Sequence, residues 1–166
     1  VYGELVKSYF ISLETVLIRK SVINKLDHSF DVHFNHISDF DLILRVSKHS
    51  KLSIVKEILA KWRVHSNSGS WTNPEIFINE KRMLVNKLLS SDPDINDRYK
   101  FEFRNFIRSI DLRESIALLI NNEKNQAREI LSKKIFIDLT MTILYFFSFF
   151  SFSRIILLKI IKMRKL

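Results

Sequence analysis

Between Ile135 and Ser153 run 19 residues that carry a single charge, Asp138. A stretch of that kind has three ways to leave water. It can lie as a helical hairpin in a membrane interface, form the buried core of a helical region, or span a bilayer. Its length is at the lower edge of a span, and the basic flanks Lys133, Lys134 and Arg154 give no inside–outside bias. Aromatic residues interrupted by Ser and Thr place the interfacial hairpin first, the buried core second and the span last.

The charge pattern bears on the same choice. The chain of 166 residues has a net charge of +9. Residues 121–166 carry nine basic and three acidic side chains, whereas the longer part before them is nearly balanced. Positive charge beside an apolar stretch points to an anionic membrane surface. A nucleic-acid binder interleaves aromatics with Lys and Arg, and the Phe cluster here is almost free of them, so no nucleic acid is expected. The C-terminal tail is therefore expected to meet a membrane surface.

Glycine and proline number two each and cysteine is absent. Glycine-rich phosphate loops, disulfides, thiolate zinc sites and cysteine nucleophiles are excluded. The chain opens on Val1 and has no signal-type segment, which reads as a fragment whose beginning lies upstream. With 46% hydrophobic residues it can bury a core.

Along the chain, Ser12–Arg19, Leu52–Lys56 and Ile58–Val64 have the β-branched composition of short strands. Ser21–Leu26 reads as a helical turn, followed by the loop Asp27–Ile37. A helix is expected from Asp39, with Ser38 and Asp41 as a capping box. His65–Pro74 is a polar loop. Glu75–Leu89, Tyr99–Ile120 and Glu123–Lys134 have helical periodicity, and Asn121-Asn122 separates the last two. The expected class is α/β: an α/β part over 1–74, a helical region over 75–134 and an apolar, basic helical tail over 135–166.

Two local constellations carry chemistry. In Ser38-Asp39-Phe40-Asp41-Leu42-Ile43-Leu44-Arg45, an acid at a helix start can face a cleft, where the helix dipole favours its negative charge. Asp41 is explained by the capping box; Asp39 is not needed for it and is the better candidate for a general base. In Trp62-Arg63-Val64-His65-Ser66-Asn67-Ser68, Arg63 and His65 alternate on one face of a strand end. A guanidinium suits a diphosphate and an imidazole suits a metal or phosphate, although a surface Arg and a hydrogen-bonded His fit the pattern as well.

In order and spacing these pieces resemble the second half of family 2 glycosyltransferases. The matching residues are Val16-Leu17-Ile18-Arg19-Lys20, Phe30-Asp31, Ser38 to Arg45, and Trp62 to Ser70, so the resemblance covers about residues 10–71. One departure is Ser38, where the family carries Glu. The resemblance implies the C-terminal part of a GT-A, Rossmann-like domain followed by a mostly helical tail. It implies transfer of a sugar, with inversion, from a nucleotide-sugar donor to a glycan or lipid-linked acceptor in surface polysaccharide biosynthesis. Asp39 would be the catalytic base, Arg63 and Ser68 would serve the diphosphate, and His65 would bind a divalent Mg or Mn. That metal would be shared with a nucleotide-binding half and a D-x-D that these residues do not include, so the fragment alone is expected to be inactive. The implied place is cytoplasmic and peripheral, at the inner face of the cell membrane. The alternative is a non-catalytic membrane-surface module or an inactive fragment.

Overall fold

The computed structural model describes residues 1–61, 74–151 and 153–163. The helices are α1 Tyr2–Lys7, α2 Lys20–Ile23, α3 Ser38–Ser47, α4 Pro74–Ser91, α5 Ile95–Arg98, α6 Lys100–Ile120, α7 Lys124–Ser132, α8 Leu139–Phe147 and α9 Ser153–Met163, with a 3-10 turn at Leu13–Thr15. Among the described residues there is no strand and no sheet, which overturns the expected α/β class and the GT-A part of it.

The reason lies in what a strand needs. A β-rich segment is stable only when laddered and covered on at least one face. In Ser12–Arg19, Thr15 folds back instead, with both its N–H and its hydroxyl donating to the Ser12 carbonyl. Leu17, beyond that turn, is 99% exposed. Leu52, Ile54, Val55, Ile58 and Leu59 are all exposed, Ile58 to 93%, and their segment takes no regular structure. Residues 62–64 of the third expected strand lie outside the described residues. β-Propensity here met no sheet.

The chain divides within α6 into two compact units, Val1–Ile107 and Arg108–Leu166. In the first, α3 is enclosed all round: Phe40, Leu42, Ile43, Leu44 and Val46 are buried on successive positions. Leu5 and Val6 of α1, Leu84 and Leu88 of α4, Ile95 of α5 and Phe103 of α6 complete this core. Phe40 stacks on Tyr9, with centroids 4.8 Å apart, and meets the edge of Phe106 at 5.6 Å. Gly3 sits inside α1, where glycine weakens a helix, but a Cβ there would come within 2.9 Å of the Tyr99 ring.

The start of α3 departs from the expected capping box. The helix begins at Ser38 with Ile37 as its cap, and no side chain caps it. The N–H groups of Asn35, His36 and Ile37 are met from a distance by Glu80 of α4, at 2.9, 2.8 and 3.0 Å. Glu80 is itself 4% exposed, so its carboxylate and these three donors satisfy one another out of water.

In the second unit, Leu119, Ala127 and Leu157 form a cluster flanked by Leu118, Ile120, Leu144 and Phe147. α6 ends as Asn121-Asn122 leads one to expect. Asn122 takes φ 67°, the Glu123 N–H reaches the Leu118 carbonyl and the Asn122 N–H reaches that of Leu119, which is a Schellman ending. Asp138 caps α8 by accepting from the Met141 N–H at 3.2 Å, and its carboxylate also takes Arg108. Arg128 of α7 donates to the hydroxyl and the carbonyl of buried Ser148, fixing the turn after α8.

Replacing Glu80 with Ala should lower stability by about 3 kcal/mol, because three N–H groups, that of Ile37 enclosed, lose a charged acceptor. Urea unfolding read by circular dichroism checks this; a loss under about 1 kcal/mol would mean that water serves the loop equally well.

Candidate functional site

A cluster of ion pairs lies between α3, α4 and the loop before α3. Asp41, 2% exposed, accepts from Lys87 Nζ at 2.6 Å and from Arg45 Nε at 2.8 Å. The same Lys87 ammonium donates to Asp31 at 2.7 Å and lies 5.3 Å from the centre of the Phe34 ring. Asp31 also accepts from the backbone N–H of His33 at 3.0 Å, and the His33 ring lies 2.8 Å away. Arg45 donates its two remaining guanidinium nitrogens to the carbonyls of His28 and Ser29. The loop is thus held to both helices by one lysine and one arginine.

Lys87, with help from the His33 N–H, holds the Asp31 carboxyl well below the ordinary carboxylate range. His28, Asp31 and Asp41 bring one ligand atom each within 4.8 Å of one another, the spacing of a cation site. The Lys87 ammonium stands between the two carboxylates and supplies the positive charge there. This cluster therefore does not fit a divalent ion, and the metal implied by the resemblance finds no donor set among the described residues.

Asp39 stands apart from the cluster, half-buried in the first turn of α3. Its Oδ1 accepts from the Phe40 N–H at 2.8 Å. The Tyr9 hydroxyl is enclosed and within electrostatic reach of this carboxylate, without a well-formed hydrogen bond to it. Burial first, and the Asp39 charge second, push the Tyr9 phenol well above its usual range. Arg63, His65 and Ser68 lie outside the described residues.

A shallow depression next to the cluster is lined by Lys25, Asp27, His28, Arg45, Lys48 and His49, with Leu26. It lies where α2 and α3 end, so these basic groups face the negative ends of two helices. Lys48 also stands 5.4 Å from the centre of the Tyr2 ring.

The sequence reading singled out Asp39 and did not single out Tyr9, Glu80 or Lys87. The signal for the last two was present. Positions 80, 84, 87 and 88 share one face of α4, and Leu84 and Leu88 on it are buried, so a Glu and a Lys occupy core-facing positions. The expected role of Asp41 in a capping box is replaced by its ion pairs, since a charge-assisted bond to an ammonium is stronger than a neutral cap.

The chain matches no protein-family model, no curated protein and no solved structure.

Lys87→Met should cost about 3 kcal/mol by removing the cation between two facing carboxylates, with Arg45 left on Asp41 alone, and Mn²⁺ should restore part of this in the variant only. Thermal melts with and without Mn²⁺ check both; a metal response of the unsubstituted chain would mean that the ion displaces Lys87. For pH, the depressed Asp31 value gives stability that is complete above about pH 4, the ordinary range of an unfolded aspartate, and is lost as pH falls towards the folded value. Asp31→Asn should therefore be less stable at neutral pH and lose less on acidification, as read from melting temperatures across the acid range.

Proposed function

We propose that this chain contributes the acceptor-side part of an inverting glycosyltransferase working at the inner face of a membrane. The reading rests on residues and not on a GT-A sheet. What supports it is the division between the two acids of α3. Asp41 is buried and committed to Lys87 and Arg45, whereas Asp39 stays half-exposed beside an enclosed phenol that lacks a hydrogen bond.

In the proposed reaction the acceptor hydroxyl oxygen bonds to the anomeric carbon of a nucleotide sugar. The bond from that carbon to the phosphate oxygen breaks, the nucleoside diphosphate leaves with the electron pair, and the hydroxyl proton passes to Asp39. An acceptor hydroxyl entering beside Asp39 would have the carboxylate to receive its proton. Arg63 and Ser68 are assigned to the diphosphate, and His65 to its metal, by the resemblance alone. The donor sugar and the acceptor are a nucleotide sugar and a glycan or lipid-linked glycan, by the same resemblance. A non-catalytic membrane-surface module is the second reading, favoured by the exposed apolar side chains of α8 and α9.

In the protein that carries this chain, Asp39→Asn should lower kcat by about 10²–10⁴ with the donor KM nearly unchanged. The assay is sugar transfer from a panel of UDP- and GDP-linked sugars. Undiminished turnover in the variant would remove Asp39 as the base, and no turnover by the unsubstituted protein would favour the second reading.

A further inference from the structure

Within the second unit, α8 presents an exposed face of one kind. Leu139, Ile143 and Phe146 recur at four- and three-residue steps, are all exposed, and lie opposite buried Met141 and Ser148. A helix facing water carries polar groups on that side. α9 shows the same inversion with charge added: Leu157 is buried, while Ile155, Leu158 and Lys159 on the far side are exposed. Ahead of α8, Phe136 and Ile137 are 88% and 80% exposed.

Phe136 adds a second, independent observation. Its φ is 63°, the left-handed region, which a bulky residue enters only at a cost. A hydrogen bond from its N–H to the Thr142 hydroxyl at 3.0 Å holds it there. The chain thus accepts backbone strain to project a phenyl ring into solvent, which no burial within the unit rewards.

The charge on this part of the chain selects what covers the face. From residue 130 onward the sequence has seven basic residues and one acid. That acid, Asp138, is paired with Arg108, which holds its carboxyl below the ordinary range. Lys133, Arg154 and Lys159 are exposed. Among the described residues no helix is long and apolar enough to cross a membrane. α8 and α9, with 9 and 11 residues, are each about 14–17 Å long, roughly half of a hydrocarbon core of about 30 Å.

We propose that α8, α9 and the Phe136–Ile137 corner form a docking surface for an anionic lipid membrane. The helices lie in the plane of the interface, with Phe136, Ile137, Ile143 and Phe146 entering the acyl boundary. Lys133, Arg154 and Lys159 meet the headgroup charge. This inference does not depend on glycosyl transfer.

The test is co-sedimentation of the full chain with vesicles of phosphatidylcholine alone and of phosphatidylcholine with about one-third phosphatidylglycerol, a strongly anionic surface. Expected is binding to the anionic vesicles, weakened at about 1 M salt, where charges are screened beyond about 3 Å. Ile143→Ser and Phe146→Ser should each lower partitioning about tenfold. Phe136→Asn separates docking from folding, because Asn tolerates the left-handed backbone. It should raise the melting temperature while lowering vesicle binding. No binding by a folded chain would overturn the proposal. So would equal binding to both vesicle types, and so would a concentration-dependent dimer abolished by Phe146→Ser with no vesicle binding.

Discussion

The ammonium of Lys87 is the charge on which the first unit is organised. Two aspartates, one in the loop before α3 and one in the first turn of that helix, face each other with this cation between them. Without it they would repel in a place almost free of water. Arg45 extends the same arrangement to the loop backbone, and Glu80, two turns before Lys87 on α4, meets the donors at the loop's end. One helix face therefore carries both signs of charge into the core, each matched to a group on the loop. The loop between α2 and α3 is fixed by ionic contacts along a short length of chain, with Phe34 and Ile37 as its apolar anchors.

That arrangement also explains why Asp39 differs from Asp41, two residues away. About half a turn of helix separates the side facing α4 from the side facing Tyr9. The inward acid became structural and the outward one stayed at a half-open surface. The enclosed acid braces the loop through Lys87 and Arg45, and the partly exposed one lies on the Tyr9 side of the same short helix.

The helical half of the chain was legible because its signals are local. Residues 75–134 show apolar periodicity and a clear stop at Asn121-Asn122, and α4, α6 and α7 lie within two residues of the expected bounds. Of the apolar stretch Ile135–Ser153, expected first as an interfacial helical hairpin, α8 takes the middle and α9 starts only at its last residue. The strands were misread for the converse reason. Composition at Val16–Ile18 and Leu52–Leu59 records a preference for a pleated, half-covered surface, and whether such a surface exists is a long-range fact. At the candidate site, Asp39 was visible from its place at a helix start. Tyr9 was not, because only the stacking of its ring on Phe40 brings residue 9 to residue 39. Lys87 and Glu80 were readable as charges on an apolar stripe, but their partners 43 to 56 residues away were not.

The uncovered segment from Leu52 to Leu59 has a consequence for the chain's life in solution. Its residues combine β-branched character with near-zero net charge, the composition that pairs readily with a like strand of another molecule. Lys56 and Glu57 interrupt it at the point where a longer apolar run would otherwise form. These two charges act as gatekeepers, and their placement limits self-association to a window of four residues, Leu52–Val55, on one side of them. A Lys-Glu pair that takes no part in the core thus stands where an edge-to-edge pairing would have to pass.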